Sequence, residues 1–381
     1  MKETPLIEAI DCLNGRHVTV NAVNGISALS KSSSVSDQVL FVGPGLVDLQ
    51  VNGVNGIDFN NTSLSGEDLL NAAKFLLSQG VTTFFPTIIT NSDENICQLL
   101  ATINESCRQH DLLGQCVGGI HLEGPFISKE EGARGAHNKK YVKAPDWELF
   151  MRFQKAAGNR IKMITLSPEW DNSAAFISSA VKSRVLVSIG HSLASPEQIQ
   201  KAVDAGATMS THIGNAVPLM LPRHPNIIWD QLAQDALSCS FIADGFHLPN
   251  SFMKVVIKAK GKNCFLVSDS TLFTGMKPGV YNTHIGGQVK LEPNGRLSME
   301  GGNGLLAGAA MTLLRNVEYL VTHQVANLST AWKMASVIPQ SLMNTYREPN
   351  KLAWEDAVIF TFKEKINVQK VYKCGSLVFG A

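Results

Sequence analysis

The chain has 381 residues, of which 44% are hydrophobic and 17% charged, and its formal net charge is +1. This composition excludes a largely disordered chain, and the length suits one large domain with a small second one. Near-neutral charge without long basic or acidic runs argues against a nucleic-acid partner or an anionic membrane surface.

The seven cysteines are scattered along the chain, and no CxxC pair occurs. We therefore expect a reducing compartment, with neither a disulfide framework nor a zinc site built from cysteines. The N-terminal residues lack the basic and apolar regions of a signal peptide, and no apolar run approaches the ~20 residues that span a bilayer. These features predict a cytoplasmic protein.

Both ends of the chain have short β-like segments. Residues 16–20 lie between Asn-Gly turns at 14–15 and 24–25, and three strand-like runs lie between 357 and 379. We expect residues 1–43 and 346–381 to pair into one small β-sandwich domain. The alternative is two separate additions to the main domain.

Between these ends, residues 44–345 alternate between strand-like and helix-like segments. Residues 67–77 have apolar side chains at helical spacing, and Ser195 followed by Pro196 predicts a helix start. The predicted strands are 46–53, 81–88, 116–124, 161–169, 185–192, 207–215, 239–247 and 263–271. This alternation predicts an α/β fold of the (β/α)8 TIM-barrel type. A doubly wound open sheet is the alternative, although such a sheet gathers its ligands at a switch point.

Polar side chains stand at the ends of these predicted strands. In the clearest case, the apolar run 117–122 ends at Glu123 and Gly124-Pro125 follows. The others are Gln50, Asn52, Glu169, His191, His212, His247 and Asp269. Because the carboxyl ends of parallel barrel strands meet at one mouth, we expect these side chains to lie close together.

Two imidazoles and one carboxylate form a common catalytic zinc set. We expect Glu123, His191 and His212 to be the metal ligands, with the cation lowering the pKa of a bound water towards ~7. Asp269 would accept a proton from that water and return it to the leaving group, and His247 would orient or polarise the substrate carbonyl. Each residue alone has an ordinary alternative, since a strand-end histidine is more often structural and Asp269 could be an N-cap.

Other common chemistries lack their motifs. No GxGxxG follows a predicted strand, and neither GxxxxGK[ST] nor GxSxG occurs. The glycine-rich run 301–304 follows no predicted strand. Cys116 and Cys264 lie within predicted core strands, where a buried inert thiol is expected rather than a nucleophile.

The strand-end motifs resemble those of the N-acetylglucosamine-6-phosphate deacetylase family of the amidohydrolase superfamily. They follow the family's order over residues 44–311. The matching segments are HLEGPF at 121–126, GAHN at 135–138, GHS at 190–192, THIGNAVP at 211–218, ADGFH at 243–247 and VSD at 267–269.

The resemblance implies a (β/α)8 barrel with a small β domain from both termini, usually as a homodimer. It also implies a metal-dependent hydrolysis that removes acetate from an amino-sugar phosphate. Within the matching motifs, Glu123, His191 and His212 correspond to metal ligands, Asp269 to the acid/base, and His247 to a substrate contact beside the scissile amide.

Further substrate contacts follow from the same resemblance. The matching positions are Ala136, His137, Asn215, Ala216, Arg223, Leu306, Ala307 and Gly308. In the family, the arginine that binds phosphate can come from the partner subunit. A guanidinium fork suits the oxygens of a phosphate group.

Several positions depart from the family pattern. Many amidohydrolases have His-x-His in the first strand for a second metal, whereas this chain has Gln50 and Asn52. We therefore expect one divalent metal per subunit, zinc in the first place, with iron or another cation as alternatives. Gly214 stands where a bulky residue is common, which predicts a reshaped pocket. Residues 338–341 replace the usual Asn-Pro-Ala-Arg, and the turn at 350–355 is degraded.

These observations predict a deacetylase of N-acetylglucosamine-6-phosphate that acts in amino-sugar catabolism. The first alternative is a related amidohydrolase acting on another N-acyl amino sugar or on an N-acyl amino acid. The second is a non-catalytic homologue that binds a sugar phosphate. The presence of all four of Glu123, His191, His212 and Asp269 argues against the second.

Overall fold

A computed structural model describes residues 7–20, 29–31, 39–283, 287–301, 304–344 and 355–380. The Asn-Gly turn at 24–25, the degraded turn at 350–354 and residues 302–303 of the glycine-rich run lie outside these ranges.

The strands, numbered along the chain, follow the predicted alternation. The first four are β1 (Ile7–Asp11), β2 (His17–Val20), β3 (Leu29–Lys31) and β4 (Leu40–Pro44). Strand β5 (Leu46–Val51) begins the barrel and leads into a two-stranded ribbon of β6 (Gly53–Val54) and β7 (Ile57–Asp58). The other barrel strands are β8 (Val81–Ile89), β9 (Ile120–Glu123), β10 (Ile161–Leu166), β11 (Leu186–Ile189), β12 (Met209–Ser210), β13 (Ser238–Phe241) and β14 (Cys264–Leu266). Later strands are β15 (Gly279–Asn282), β16 (Gln288–Leu291), β17 (Leu297–Met299), β18 (Ala357–Phe362), β19 (Ile366–Lys373) and β20 (Ser376–Phe379).

Amphipathic helices connect the barrel strands and bury one face against them. They are α1 (Gly66–Ser78), α2 (Asp93–Gln109), α3 (Asp111–Cys116), α4 (Trp147–Ala156), α5 (Ser173–Lys182), α6 (Pro196–Asp204), α7 (Ile227–Ala233), α8 (Asn250–Lys260), α9 (Leu313–Thr322), α10 (Leu328–Met334) and α11 (Val337–Asn344). The Ser195 side chain caps α6 in a capping box with Gln198, as the Ser195-Pro196 pair predicts. Short 3-10 helices span Lys139–Tyr141 and Gly261–Asn263.

Barrel strands are hydrogen-bonded in sequence order, from β5 and β8 through to β14, and the strand pairs are all parallel. Val51 forms a parallel bridge with Ser270, and Asn52 N donates to Ser270 O at 2.8 Å, so the first and last strands meet. An open doubly wound sheet would instead reverse its strand order at a switch point. The predicted (β/α)8 class is therefore confirmed.

Most of the predicted strands extend beyond the observed ones, and two of these differences have a clear local cause. The predicted strand 116–124 begins only at Ile120, because Asp111–Cys116 forms α3. Cys116 is thus a buried helical residue rather than part of a strand. The predicted strand 207–215 is reduced to Met209–Ser210, because His212 has a φ of +28° and cannot continue an extended ladder.

Inside the barrel, an apolar layer lies below a polar one. The apolar layer includes Phe85, Met163, Leu186 and Met209. Two residues further along the same strands lie Thr87, Thr165, Ser188 and Thr211, which face the same side because side chains alternate along a strand. His121 Nε2 lies 2.8 Å from Thr165 Oγ1, which in turn lies 2.7 Å from Thr211 Oγ1. These hydroxyl groups satisfy the buried imidazole just below the mouth.

The divergent segment 338–341 lies in α11, at the opposite end of the barrel from Glu123. Met343, Ile338 and Leu342 of this helix pack against the apolar layer. A Cβ on Gly118, which precedes β9, would lie 2.7 Å from Met343 Cε. The segment therefore closes the floor of the barrel and is remote from the strand ends that face the mouth.

The two ends of the chain share one sheet in the order β20-β19-β18-β4-β1-β2-β3. It is antiparallel except for the pair β1 and β4. N- and C-terminal parts pair directly, with Ala357 opposite Pro44, so separate additions are excluded. Trp332 of α10 joins this sheet to the barrel, since its ring stacks on Phe360 and its Nε1 donates to Pro44 O at 2.9 Å.

Strands β15, β16 and β17 form an antiparallel sheet in the segment after β14. Within the described ranges, every helix is too short or too polar to cross a bilayer.

Candidate functional site

The carboxyl ends of β9, β11 and β12 bring three side chains that could hold a metal into one buried group. Glu123 is the last residue of β9, and His191 and His212 follow the ends of β11 and β12. Glu123 Oε1 lies 3.3 Å from Nε2 of each histidine, and the two Nε2 atoms lie 3.2 Å apart. Only 3–7% of each residue is exposed, so water does not separate the three groups.

Hydrogen bonding to the backbone fixes the tautomer of His191. Its Nδ1 lies 3.1 Å from Ala133 O and 3.3 Å from Arg134 O. Because carbonyl oxygens only accept, Nδ1 carries the hydrogen and the Nε2 lone pair faces Glu123 and His212. A second hydrogen bond of this kind is typical of histidines that bind a metal.

The charge states of Glu123 and His212 favour binding of a cation by this group. Burial acts to raise the pKa of Glu123, but the two imidazoles outweigh it and hold that pKa well below its usual range. Burial acts to lower the pKa of His212, but Glu123 outweighs burial and raises it. A proton and a metal cation would compete for this position. Metal binding would therefore release a proton, and the affinity for the metal would rise with pH. Two imidazole nitrogens and one carboxylate oxygen within 4.8 Å of one another are a set that could hold a divalent metal.

Gln50 and Asn52 occupy the end of β5, beside the two acidic groups of the mouth. Gln50 Nε2 donates to Glu123 Oε1 at 2.8 Å, and Asn52 Nδ2 donates to Asp269 Oδ1 at 2.7 Å. These amides therefore direct N–H groups, which cannot bind a metal, at the two carboxylates.

Asp269 follows β14 and faces the same mouth. Its φ is +48°, and its backbone N donates to Gln50 O at 3.0 Å. Desolvation, followed by the charge of Glu123, raises the pKa of Asp269 to about 6. A carboxyl group with a pKa near neutrality can both accept and return a proton.

His247 is positioned by Asp244, a residue to which the sequence prediction assigned no role. His247 Nδ1 lies 2.7 Å from Asp244 Oδ2, while Asp244 Oδ1 accepts from the backbone N atoms of Phe246 and His247. Burial acts to raise the pKa of Asp244, but the hydrogen bond and charge of His247, together with the backbone N–H groups of His247 and Phe246, outweigh burial and lower that pKa. The Asp-x-x-His spacing was the available signal for this pair.

His137 is also brought to the metal-binding group. Its ring centroid lies 4.3 Å from that of His191, and its Nδ1 lies 2.8 Å from Thr90 Oγ1. Burial, and then His191, lower the pKa of His137 to about 3, so this ring is neutral. Thr90, directly after β8, is a second residue that the sequence prediction missed. Ala136 lies beside His137 and is exposed.

The loop after β12 carries three of the predicted substrate contacts. Asn215 donates from its backbone N to His212 O at 3.0 Å, and Ala216 follows with a φ of +50°. Arg223 is exposed further along the loop and lies outside the buried group. Leu219 and Met220, at the tip of the same loop, are 96% and 87% exposed.

Residues 306–308 lie next to β17 on one side and next to the segment that follows Asp269 on the other. Ala307 N donates to Leu297 O at 3.1 Å, and Thr271 N donates to Ala309 O at 3.0 Å. Gly308 has a φ of +114°, and a Cβ there would lie 2.9 Å from Thr271 Cγ2. The structure therefore places this predicted substrate loop next to the strand end that carries Asp269.

Comparison with known proteins agrees with this geometry. The N-acetylglucosamine-6-phosphate deacetylase of Bacillus subtilis is 33% identical over 339 residues, which cover 84% of this chain and 83% of that protein. The enzyme of the same name from Mus musculus is 32% identical over 349 residues, covering 89% of this chain and 83% of that protein. A crystal structure of N-acetylglucosamine-6-phosphate deacetylase from Pasteurella multocida has a TM-score of 0.82 at 26% identity, covering 97% of this chain and 98% of that one. No protein-family model matches the chain.

We expect Glu123→Gln to weaken zinc affinity by about 100-fold or more, because a neutral amide oxygen replaces the charged ligand. Zinc affinity would be measured by competition with a chromophoric chelator, and circular dichroism would check that the variant folds. Glu130→Gln changes an exposed glutamate on the same loop and is the matched control. Equal zinc affinity in the two variants would remove Glu123 from the ligand set.

Proposed function

The chain belongs to the N-acetylglucosamine-6-phosphate deacetylase family, and we propose from that premise that it hydrolyses N-acetylglucosamine-6-phosphate to glucosamine-6-phosphate and acetate. The observation that carries this proposal is the buried group of Glu123, His191 and His212 at the barrel mouth, with Asp269 after β14 facing the same mouth. Such a site suits hydrolysis of an amide bond, the step that amino-sugar catabolism requires.

We assign Glu123, His191 and His212 as ligands of one divalent metal per subunit, zinc in the first place. A bound cation would supply a Lewis acid that acts on water and on the substrate carbonyl. The single-metal assignment is supported by Gln50 and Asn52, whose N–H groups donate to the two carboxylates where a second metal would require ligands. Iron is the alternative metal, since it accepts the same ligand types.

Asp269 acts as the acid/base. Asn52 hydrogen-bonds Oδ1 of its carboxylate, which leaves Oδ2 to accept a proton from the attacking water. Asp269 then returns that proton to the nitrogen of the leaving amine. Without this proton, the nitrogen would be a poor leaving group when the C–N bond breaks.

His247 stabilises the developing charge on the carbonyl oxygen. Because Asp244 only accepts, Nδ1 of His247 carries a hydrogen, and donation from Nε2 as well requires the imidazolium form. In that form His247 would donate to the carbonyl oxygen, with Asp244 holding the ring in place through Nδ1.

We assign the sugar and phosphate contacts to Ala136, His137, Asn215, Ala216 and the loop 306–308, all of which lie on segments that follow barrel strands. Arg223 is exposed on a loop with an exposed apolar tip, which supports a homodimer in which each subunit provides Arg223 to the phosphate bound by the other. The seven free cysteines support a cytoplasmic location, because thiols persist in reducing compartments.

Acetate release from N-acetylglucosamine-6-phosphate, with metal content determined on the same sample, tests the activity. We expect turnover with about one metal per chain. A metal-loaded protein that releases no acetate would indicate another acyl substrate. A protein that binds no metal would contradict the mechanism.

Asp269→Asn should keep the zinc affinity of the wild type but lower kcat by about 100- to 10,000-fold, since the acid/base is lost. Both quantities would be measured on the same preparation. Asp171→Asn, at an exposed position on the loop after β10, is the control for a lost carboxylate near the mouth. If the two variants turned over equally fast, Asp269 would have no part in proton transfer.

Arg223→Ala should raise KM for the phosphorylated sugar by about tenfold to hundredfold, because a charged hydrogen bond is lost. KM for unphosphorylated N-acetylglucosamine should change little. Arg152→Ala, an exposed arginine on α4, controls for the loss of positive charge. Equal changes in KM for both sugars would argue against phosphate recognition and favour the alternative, an amidohydrolase acting on another N-acyl compound.

A further inference from the structure

Glu169 lies on the loop after β10, and the proposed reaction gives it no role. Its carboxylate accepts hydrogen bonds from Ser128 Oγ at 3.2 Å, Ser192 Oγ at 3.3 Å and Leu193 N at 2.9 Å, and also from Ser167 Oγ. These donors follow three consecutive barrel strands, β9, β10 and β11. One side chain therefore connects three of the loops that surround the mouth.

The residue between these contacts is His191. Its φ is +50°, a conformation that a residue with a side chain adopts only when its surroundings enforce it. His191 O accepts from Ser128 N at 2.9 Å, and the next two residues are Ser192 and Leu193. The backbone on the C-terminal side of His191, from its carbonyl group to Leu193, is thus fixed by residues that Glu169 binds.

Neutral groups alone satisfy the Glu169 carboxylate. None of the ion pairs found among the described residues includes it. The loop after β9 has an independent attachment, since Trp170 Nε1 donates to Ile127 O at 3.1 Å. Removing the Glu169 side chain would therefore leave that loop attached and leave Ser192 bonded to Ser167 Oγ at 3.0 Å, but would remove the acceptor of Leu193 N and one partner of Ser192.

We propose that Glu169 is a positioning residue for His191, and that it maintains the orientation in which His191 Nε2 faces Glu123 and His212. The inference rests on the proposed function, because it takes the three side chains as metal ligands. Glu169 itself is outside the ligand set and acts through Ser192, Leu193 and Ser128. Replacing a residue that orients a metal-binding histidine typically lowers the metal affinity of the site by about 10- to 100-fold.

The test compares zinc affinity in the wild type, Glu169→Ala and Glu197→Ala, by competition with a chromophoric chelator. We expect Glu169→Ala to lower zinc affinity by about 10- to 100-fold. With saturating zinc, its KM for substrate should stay at the wild-type value and its kcat should fall less than its zinc affinity. Glu197 also accepts a serine hydroxyl, from Ser195 at 2.7 Å at the start of α6, but among the hydrogen bonds of the described residues none joins it to Ser128, Ser192 or Leu193. Its removal should leave zinc affinity unchanged.

A lower melting temperature in Glu169→Ala with unchanged zinc affinity would show a merely structural role and overturn the proposal. If Glu169→Ala does not fold, Glu169→Gln decides, since it keeps the length and one acceptor oxygen. A weaker affinity for zinc in that variant supports the positioning role, and wild-type affinity overturns it. A wild-type protein that binds no zinc would instead overturn the metal centre, and with it the role of Glu169.

Discussion

Two imidazole nitrogens and one carboxylate oxygen face one another at 3.2–3.3 Å in a buried group at the barrel mouth. Lone pairs at such distances repel unless a proton or a cation lies between them, so the arrangement requires both a positive charge and a rigid support. The barrel provides the support, because β9, β11 and β12 are each fixed between parallel neighbours. Below the site, Thr165 Oγ1 lies 2.8 Å from His121 Nε2, so this buried imidazole is engaged away from the three side chains.

The barrel also stabilises three residues in an unfavourable backbone conformation. His191, His212 and Asp269 have φ values of +50°, +28° and +48°, which together cost on the order of a few kcal/mol. Each is enforced by a specific hydrogen bond nearby: Ser128 N to His191 O, His212 N to Ser240 Oγ, and Asp269 N to Gln50 O. At each of these three residues, the left-handed backbone conformation directs the side chain into the mouth of the barrel. Backbone strain therefore lies where the chemistry requires these side chains.

The barrel and the group at its mouth could be predicted from the sequence, because both depend on regular patterns. Buried parallel strands are apolar runs, and a polar residue at the end of such a run must face the mouth. The role of Thr90 could not be predicted, since it depends on side-chain pairing rather than on period, whereas Asp244 was missed although its spacing from His247 was a signal. The predicted strand 116–124 was wrong at Cys116, which is the last residue of α3. A short buried apolar run fits either a helix or a strand.

Gly214 shows how a local departure from a family pattern can be compensated elsewhere. The loss of a bulky residue there predicts a reshaped pocket, but a Cβ at this position would lie 2.9 Å from Phe252 Cε1 and 3.0 Å from Leu248 Cδ2. Side chains on and just before α8 already occupy this space, and the φ of +87° at Gly214 favours glycine. The missing bulk is therefore supplied by another element. Because Leu248 directly follows His247, this contact also packs the loop after His212 against the segment that carries His247.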